Sequence, residues 1–142
     1  MGHIIMGSII GIKPYQRQPI SIELTHGNLC VTLLPDMTNE ILEYTNKTDK
    51  NPFREWFFGL EARAAAKVTT AIVRLENGNT SNVESVGSGV YEYKINFGPG
   101  YRIYFAYDGK TIIILLAGGT KKRQSRDIQT AKVRWTDYKA RK

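Results

Sequence analysis

The stretch that decides the fold is VYEYKINFGPGYRIYFAYDGKTIIILL, residues 90–116. On either side of Gly98-Pro99-Gly100, apolar and polar side chains alternate, which is the pattern of strands with two different faces. Asp108-Gly109 is a strong hairpin signal, and it precedes the continuously apolar run Thr111–Leu116. Such a run is typical of a strand buried on both faces, so the stretch predicts an antiparallel meander.

The register of the first hairpin determines which side chains share a face. A three-residue turn at Gly98-Pro99-Gly100 pairs Asn96 with Arg102. A two-residue turn would instead place Arg102 opposite Ile95 and put a charge beside the core. The first register is therefore expected. It gives one solvent-facing surface that carries Lys94, Asn96, Arg102 and Tyr104.

The sequence before the meander predicts one strand and two helices. Glu40–Thr45 has the alternation of a short strand. Pro52 suits the first turn of a helix, with Asn51 as its cap. A second helix is expected from about Glu61 to Leu75, ended by Asn77-Gly78-Asn79.

After the meander, Gly118-Gly119 is expected to break the buried strand. A final helix follows from about Gln124 to Lys139, with Ile128, Ala131 and Trp135 on one side. The chain order is then strand, two helices, meander and C-terminal helix. It predicts a compact α+β domain.

The positive charge is confined to one end of the chain. The net charge is +7, and residues 121–142 alone carry that surplus, because only Asp127 and Asp137 oppose their cations. The cations are Lys121, Lys122, Arg123, Arg126, Lys132, Arg134, Lys139, Arg141 and Lys142. This distribution favours a surface that faces a polyanion, and the alternative is a solvated helix whose charges only aid solubility.

Several classes of protein are disfavoured by the sequence. Residues 37–142 contain no histidine or cysteine, so no metal-ligand set is expected, and neither a nucleophile elbow nor a phosphate-binding P-loop is present. The single cysteine, Cys30, suggests a reducing, cytoplasmic setting. The apolar run Ile4–Ile12 is too short to span a bilayer, so we expect no contact with a membrane.

What remains is a polar sheet face next to the basic turn Lys121-Lys122-Arg123. Such cations suit a phosphodiester, whose own 2′-hydroxyl can attack if the substrate is RNA. The expected catalytic residues are Arg102, Lys94, Lys121, Lys122 and Glu92, with a lysine or Glu92 as proton acceptor. The expected RNA-binding residues are Arg123, Arg126, Asn96 and Tyr104, with no metal and no cofactor. The alternative is an ordinary solvated sheet face.

A set of motifs across residues 38–138 resembles a known family. They are Pro52–Trp56, the run Gly98–Phe105, Gly118–Lys121, Gln124, Asp127-Ile128, Ala131 and Trp135. Together they closely resemble the HigB-like "addiction module killer" branch of the RelE/ParE toxins. Ile128 stands about where RelE has a tyrosine, and Thr120 stands where this branch often has an aspartate.

The resemblance implies a RelE-like fold, a small antiparallel sheet with two N-terminal helices and a C-terminal helix. It implies the toxin of a type II toxin–antitoxin system, a ribosome-dependent mRNA interferase that needs no metal, with a helix-turn-helix, HigA-like antitoxin as partner. Arg102 aligns with a phosphate-binding arginine, Lys94 with a basic strand position, and Lys121 or Lys122 with the basic residue after the last strand. A ParE-like inhibitor of DNA gyrase and a decayed, non-catalytic RNA-binding toxin are the alternatives.

The same resemblance divides the chain. Members of the branch typically start a few residues before the first strand, as Met37 would here, so residues 37–142 are the expected toxin domain. Residues 1–36 are then a loosely ordered extension or the product of an upstream start codon, and limited proteolysis should remove them rapidly. The rival is a real hairpin, Ile20–Leu24 with Leu29–Leu34, that packs on the sheet.

Overall fold

The predicted meander forms the centre of the sheet in the computed structural model. The structure describes residues 38–142 and, before them, the backbone of three strands, β1 (His3–Ile5), β2 (Ile20–Thr25) and β3 (Asn28–Leu33). The later elements are β4 (Glu40–Tyr44), α1 (Pro52–Phe58), α2 (Ala62–Glu76), β5 (Val83–Gly87), β6 (Val90–Ile95), β7 (Tyr101–Asp108), β8 (Ile112–Thr120), a 3-10 helix (Lys121–Arg123) and α3 (Gln124–Arg141).

The strand order in the main sheet is β1-β4-β8-β7-β6-β5. The pairs from β5 to β8 are antiparallel, as the meander predicts, whereas β4 pairs with β8 in parallel. A parallel neighbour requires a crossover, and α1 and α2 lie in the segment that joins β4 to the rest of the sheet. The α+β class and the order of elements are confirmed. Strand β5 was not predicted.

The N-terminal segment contributes two pieces of described backbone. β2 and β3 pair antiparallel as a separate two-stranded sheet, and these are the strands of the predicted hairpin. The connection between these two strands, residues 26 and 27, lies outside the described residues. β1 pairs antiparallel with β4. The division of the chain at residue 37 stays a prediction.

Helices cover both faces of the sheet. On one face α1 and α2 bury Phe53, Val68, Ile72 and Leu75 against the sheet. On the other face α3 buries Ala131, Trp135 and Tyr138 against side chains such as Tyr104 and Ile114. The predicted apolar side of α3, with Ile128, Ala131 and Trp135, is therefore confirmed, and the helices on each face pack against their own hydrophobic cluster.

The helix boundaries follow the predicted signals. The Asn51 side chain accepts a hydrogen bond from Arg54 N at 3.0 Å and so caps α1, which has Pro52 in its first turn. α2 ends at Glu76 with Asn77 as its C-cap, and Gly78 then adopts a positive φ of 79°.

The expectation that Gly118-Gly119 breaks the buried strand is wrong. β8 continues through both glycines to Thr120. A Cβ on Gly118 would lie 2.1 Å from Trp56 Cε3, and a Cβ on Gly119 would lie 1.9 Å from Asp127 Oδ2. The glycines therefore allow α1 and α3 to approach the strand closely from opposite faces.

The predicted register of the first hairpin is also wrong. Lys94 is paired with Arg102, and Ile95 with Tyr101, so the connection is the five residues 96–100. The register differs from the expected one by two residues, because the loop is two residues longer than the glycine and proline positions suggested. A shift of two keeps every side chain on its face, and Asn96 moves out of the sheet into an exposed loop.

Candidate functional site

The polar face of β6 and β7 was expected to face solvent, and this is wrong. Tyr104 is 0% exposed, Glu92 1% and Arg102 7%. The cause is α3, which packs on this face and places Gln124 and Asp127 over it. The polar side chains lie under the first turns of that helix.

These buried side chains form a polar cluster around Glu92. Gln124 Nε2 donates to both carboxylate oxygens of Glu92, at 3.0 and 2.8 Å. Arg102 Nε lies 3.9 Å from Glu92 Oε1, and Arg102 Nη1 donates to the carbonyl of Tyr101 at 3.1 Å. Glu92 therefore offsets part of the charge of Arg102 and helps to hold its guanidinium.

Three buried polar atoms of the cluster lack a hydrogen-bond partner among the described residues. They are Arg102 Nε, Tyr104 Oη and Asp127 Oδ2. Burial, and then the Glu92 carboxylate, raises the pKa of Tyr104, so its phenol stays protonated. Burial also raises the pKa of Asp127, against the opposing effect of Arg123. Unpartnered buried polar atoms are uncommon and indicate a place where a ligand group could bind.

The basic turn lies next to this cluster, as predicted. β7 and β8 are paired, with Arg102 opposite Gly119. Lys121 N donates to the carbonyl of Gly100 at 2.7 Å. A Cβ on Gly100 would lie 3.4 Å from Lys121 Cβ and 3.5 Å from Arg102 Nη1, so the two cationic residues flank the same glycine.

The other predicted residues are less well placed. Lys94 stands opposite Arg102, but its ammonium pairs with Glu84 at 2.8 Å. Asn96 is exposed in the loop rather than opposite Arg102. Arg126 is exposed on α3. Of the predicted catalytic cations, Arg102 and Lys121 thus flank the same glycine, Gly100. Arg102 lies near Glu92, whereas Lys121 has no acidic partner among the described residues.

The cations of the C-terminal region divide into two groups. Arg134 donates to the carbonyl of Leu116 at 2.8 Å, Arg141 donates to the carbonyl of Thr45, and Lys142 pairs with Asp108, so these hold α3 in place. Lys121, Lys122, Arg123 and Arg126 are exposed and form no ion pair with any described residue. Lys132 and Lys139, farther along α3, also form no ion pair with a described residue, and Lys139 lies over the Trp135 ring. Of the cations without an ion pair, Lys121 flanks the same glycine as Arg102.

Sequence reasoning missed Gln124 and Asp127 as members of the cluster. The available signal was Gly119, because a glycine inside a buried strand indicates a close approach by another group. The arrangement can bind an anion by one buried guanidinium and several exposed cations.

No cluster of three metal-ligating side chains occurs among the described residues. None of the described helices is long and apolar enough to cross a membrane.

Two comparisons with known proteins cover this region. The chain matches the family described as phage derived protein Gp49-like (DUF891) over residues 55–136, more than half of its 142 residues. An uncharacterized protein of Haemophilus influenzae is 40% identical over 82 residues, which are 57% of this chain and 83% of that protein. The family match runs from α1 into α3 and includes the polar cluster and the basic turn.

Proposed function

The chain belongs to the phage-derived Gp49-like family, which is part of the RelE/ParE-like toxin superfamily of toxin–antitoxin systems, and we propose that it is an mRNA interferase that cleaves mRNA on the ribosome. The observation that carries the proposal is the position of Arg102. Its buried guanidinium lies beside Gly100 and Lys121. Lys122 and Arg123 follow Lys121, and both are exposed and without an ion-pair partner among the described residues.

The proposed roles follow from burial and charge. Arg102 binds the phosphate at the cleaved bond, because a guanidinium offers two parallel donors to phosphate oxygens. Lys121, Lys122, Arg123 and Arg126 bind the flanking sugar-phosphate chain and offset the charge that develops as the 2′-hydroxyl attacks.

Two buried side chains take supporting roles in this proposal. Tyr104, kept neutral by its raised pKa, lies opposite Glu92 under α3 and helps to hold the carboxylate that positions Arg102. Glu92 is a positioning residue for Arg102 rather than the proton acceptor, because it is buried and both of its oxygens accept from Gln124. That leaves Lys121 or Lys122 as the proton acceptor, because the ammonium of Lys94 pairs with Glu84.

The family places an antitoxin beside the toxin, and we propose that this partner is a HigA-like helix-turn-helix protein. An acidic or apolar segment of it would cover the unpaired cations of residues 121–126 and so block RNA. The site of action is then the ribosome in the cytoplasm.

Induced expression in a bacterial host tests the proposal. Lys121→Gln/Lys122→Gln removes two exposed charges, so we expect growth to recover while the melting temperature is unchanged. Arg102→Ala should also restore growth. The melting temperature of this variant must be measured, because the substitution leaves the Glu92 carboxylate buried without its cation.

The matched control is Lys50→Gln/Lys110→Gln, which removes the same charge from exposed positions in other loops and should stay toxic. Full toxicity of both the Arg102 and the Lys121/Lys122 variants would contradict the proposal. Continued translation with DNA damage would instead indicate a ParE-like action on gyrase, and a wild-type chain without toxicity would indicate a decayed toxin.

A further inference from the structure

Two cations of α2 lie over one aromatic ring of the loop between β6 and β7. Arg63 Cζ is 5.8 Å and Lys67 Nζ is 5.6 Å from the centroid of Phe97. Both cations are exposed, and neither forms an ion pair with a carboxylate of the described residues. Like charges four residues apart on a helix repel each other, so a bound anion between them would be stabilised.

The ring under these cations belongs to a row of partly buried aromatics. Phe97 stacks on Tyr101 with centroids 6.4 Å apart and an interplanar angle of 23°, and Tyr101 meets the edge of Trp56 at 6.4 Å. The row lies on the face of the sheet covered by α1 and α2.

The loop 96–100 therefore lies between two groups of cations. On one side Arg63 and Lys67 lie over Phe97, at the start of the loop. On the other side Arg102 and Lys121 flank Gly100, at its end. A chain of phosphates that crossed this short loop would meet cations on both of its sides.

We infer that single-stranded RNA crosses the 96–100 loop, with one phosphate between Arg63 and Lys67 and a neighbouring base against Phe97. This set of three residues, the α2 subsite, extends the proposed mRNA site and rests on that proposed function. Half-buried aromatic rings with exposed cations beside them are the combination that binds single strands, since bases stack on rings and phosphates pair with cations. The subsite sets how the RNA is held on one side of the cleaved bond.

Binding of a fluorescein-labelled, unstructured 15-nucleotide RNA, followed by anisotropy over a range of KCl concentrations, tests the inference. For Arg63→Gln/Lys67→Gln we expect a dissociation constant about tenfold higher at low salt, and a salt slope reduced by about 0.7, the value for one phosphate of a single strand. Both residues are exposed, so the melting temperature should not change.

Phe97→Leu separates the ring from the charges. It should weaken binding about fivefold, the low end of the range for one stacked base, with the salt slope unchanged because stacking releases no counterions. Lys50→Gln/Lys110→Gln, at distant exposed positions, should bind as the wild type does.

The outcomes separate this inference from the proposed function. Wild-type affinity and salt slope for Arg63→Gln/Lys67→Gln, with weakened binding for Lys121→Gln/Lys122→Gln, would overturn the α2 subsite alone. A wild-type chain that does not bind the RNA would overturn the α2 subsite but not the proposed function, because cleavage that depends on the ribosome does not require tight binding of free RNA. A labelled polyglutamate peptide that binds as tightly as the RNA and loses affinity in Arg63→Gln/Lys67→Gln would replace RNA by an acidic protein segment as the occupant.

Discussion

At the scale of single residues, Gly118 and Gly119 let the two helical layers close on one strand. Their Cβ positions are filled by the Trp56 indole on one face and by the Asp127 carboxylate on the other. The polar cluster depends on this contact, because α3 must lie close to β8 for Gln124 to reach Glu92.

Gly118→Ala should destabilise the protein by about 1–3 kcal/mol, because the added methyl group overlaps the Trp56 ring and forces side chains or backbone to shift. Urea unfolding measures this change. The cost should be smaller in a Trp56→Leu background, in which the ring is absent. An equal cost in both backgrounds would show that the indole is not the cause.

The residue-scale features of the site could be predicted only in part. The identity of Arg102 and its place beside Lys121 follow from the hairpin pattern and from the resemblance. The burial of Arg102 could not be predicted in this way. The alternation of Glu92, Lys94 and Arg102 with apolar residues shows that each strand has two faces, but it does not show which helix covers each face. Gln124 and Asp127 join the cluster through a contact between distant parts of the chain.

At the scale of elements, a buried ion pair joins β4 to α1. Glu43 on β4 is 0% exposed and accepts a hydrogen bond from Asn51 Nδ2, and Arg54 Nε lies 3.4 Å from its Oε2. Burial, opposed by Asn51 and Arg54, raises the pKa of Glu43 to about 7. The same Asn51 caps α1, so the helix start and the carboxylate are linked.

This pKa predicts how stability changes with pH. The folded chain holds the Glu43 proton more tightly than the unfolded chain, so the stabilisation is complete below the unfolded pKa, near 4.5, and is lost as pH rises to about 7. Between pH 5 and pH 8 the free energy of unfolding should fall by up to about 3 kcal/mol from this group. Glu43→Gln should remove that dependence. A variant with the wild-type pH profile of urea unfolding would contradict the assignment.

The helices were easier to predict than the sheet edges. α1, α2 and α3 follow from caps, glycine stops and helical periodicity within single segments. β5 was missed because it has only two apolar side chains, Val83 and Val86, and these are three residues apart and do not alternate. The parallel pair of β4 and β8 joins strands far apart in sequence, and local pattern carries no information on such a contact.

At the scale of the whole molecule, the excess positive charge has two uses. Arg134, Arg141 and Lys142 tie α3 to the sheet. They contact Leu116 in β8, Thr45 just after β4, and Asp108 in β7, respectively. The cations from Lys121 to Arg126 have no ion-pair partner among the described residues and lie next to the buried Arg102. The net charge predicted a polyanion-facing surface, and only the fold shows which half of the basic segment is free to form it.

The proposed function requires that the chain cleaves mRNA on the ribosome with Arg102 and the cations from Lys121 to Arg126. Primer extension on a defined mRNA in a reconstituted translation reaction tests it most directly. We expect ribosome-dependent cleavage by the wild type and by Lys50→Gln/Lys110→Gln, and cleavage roughly a hundredfold slower with Lys121→Gln/Lys122→Gln. An mRNA that stays intact with the folded wild-type chain would contradict the proposal. Inhibition of gyrase supercoiling by the same chain in a separate reaction would then favour the ParE-like alternative.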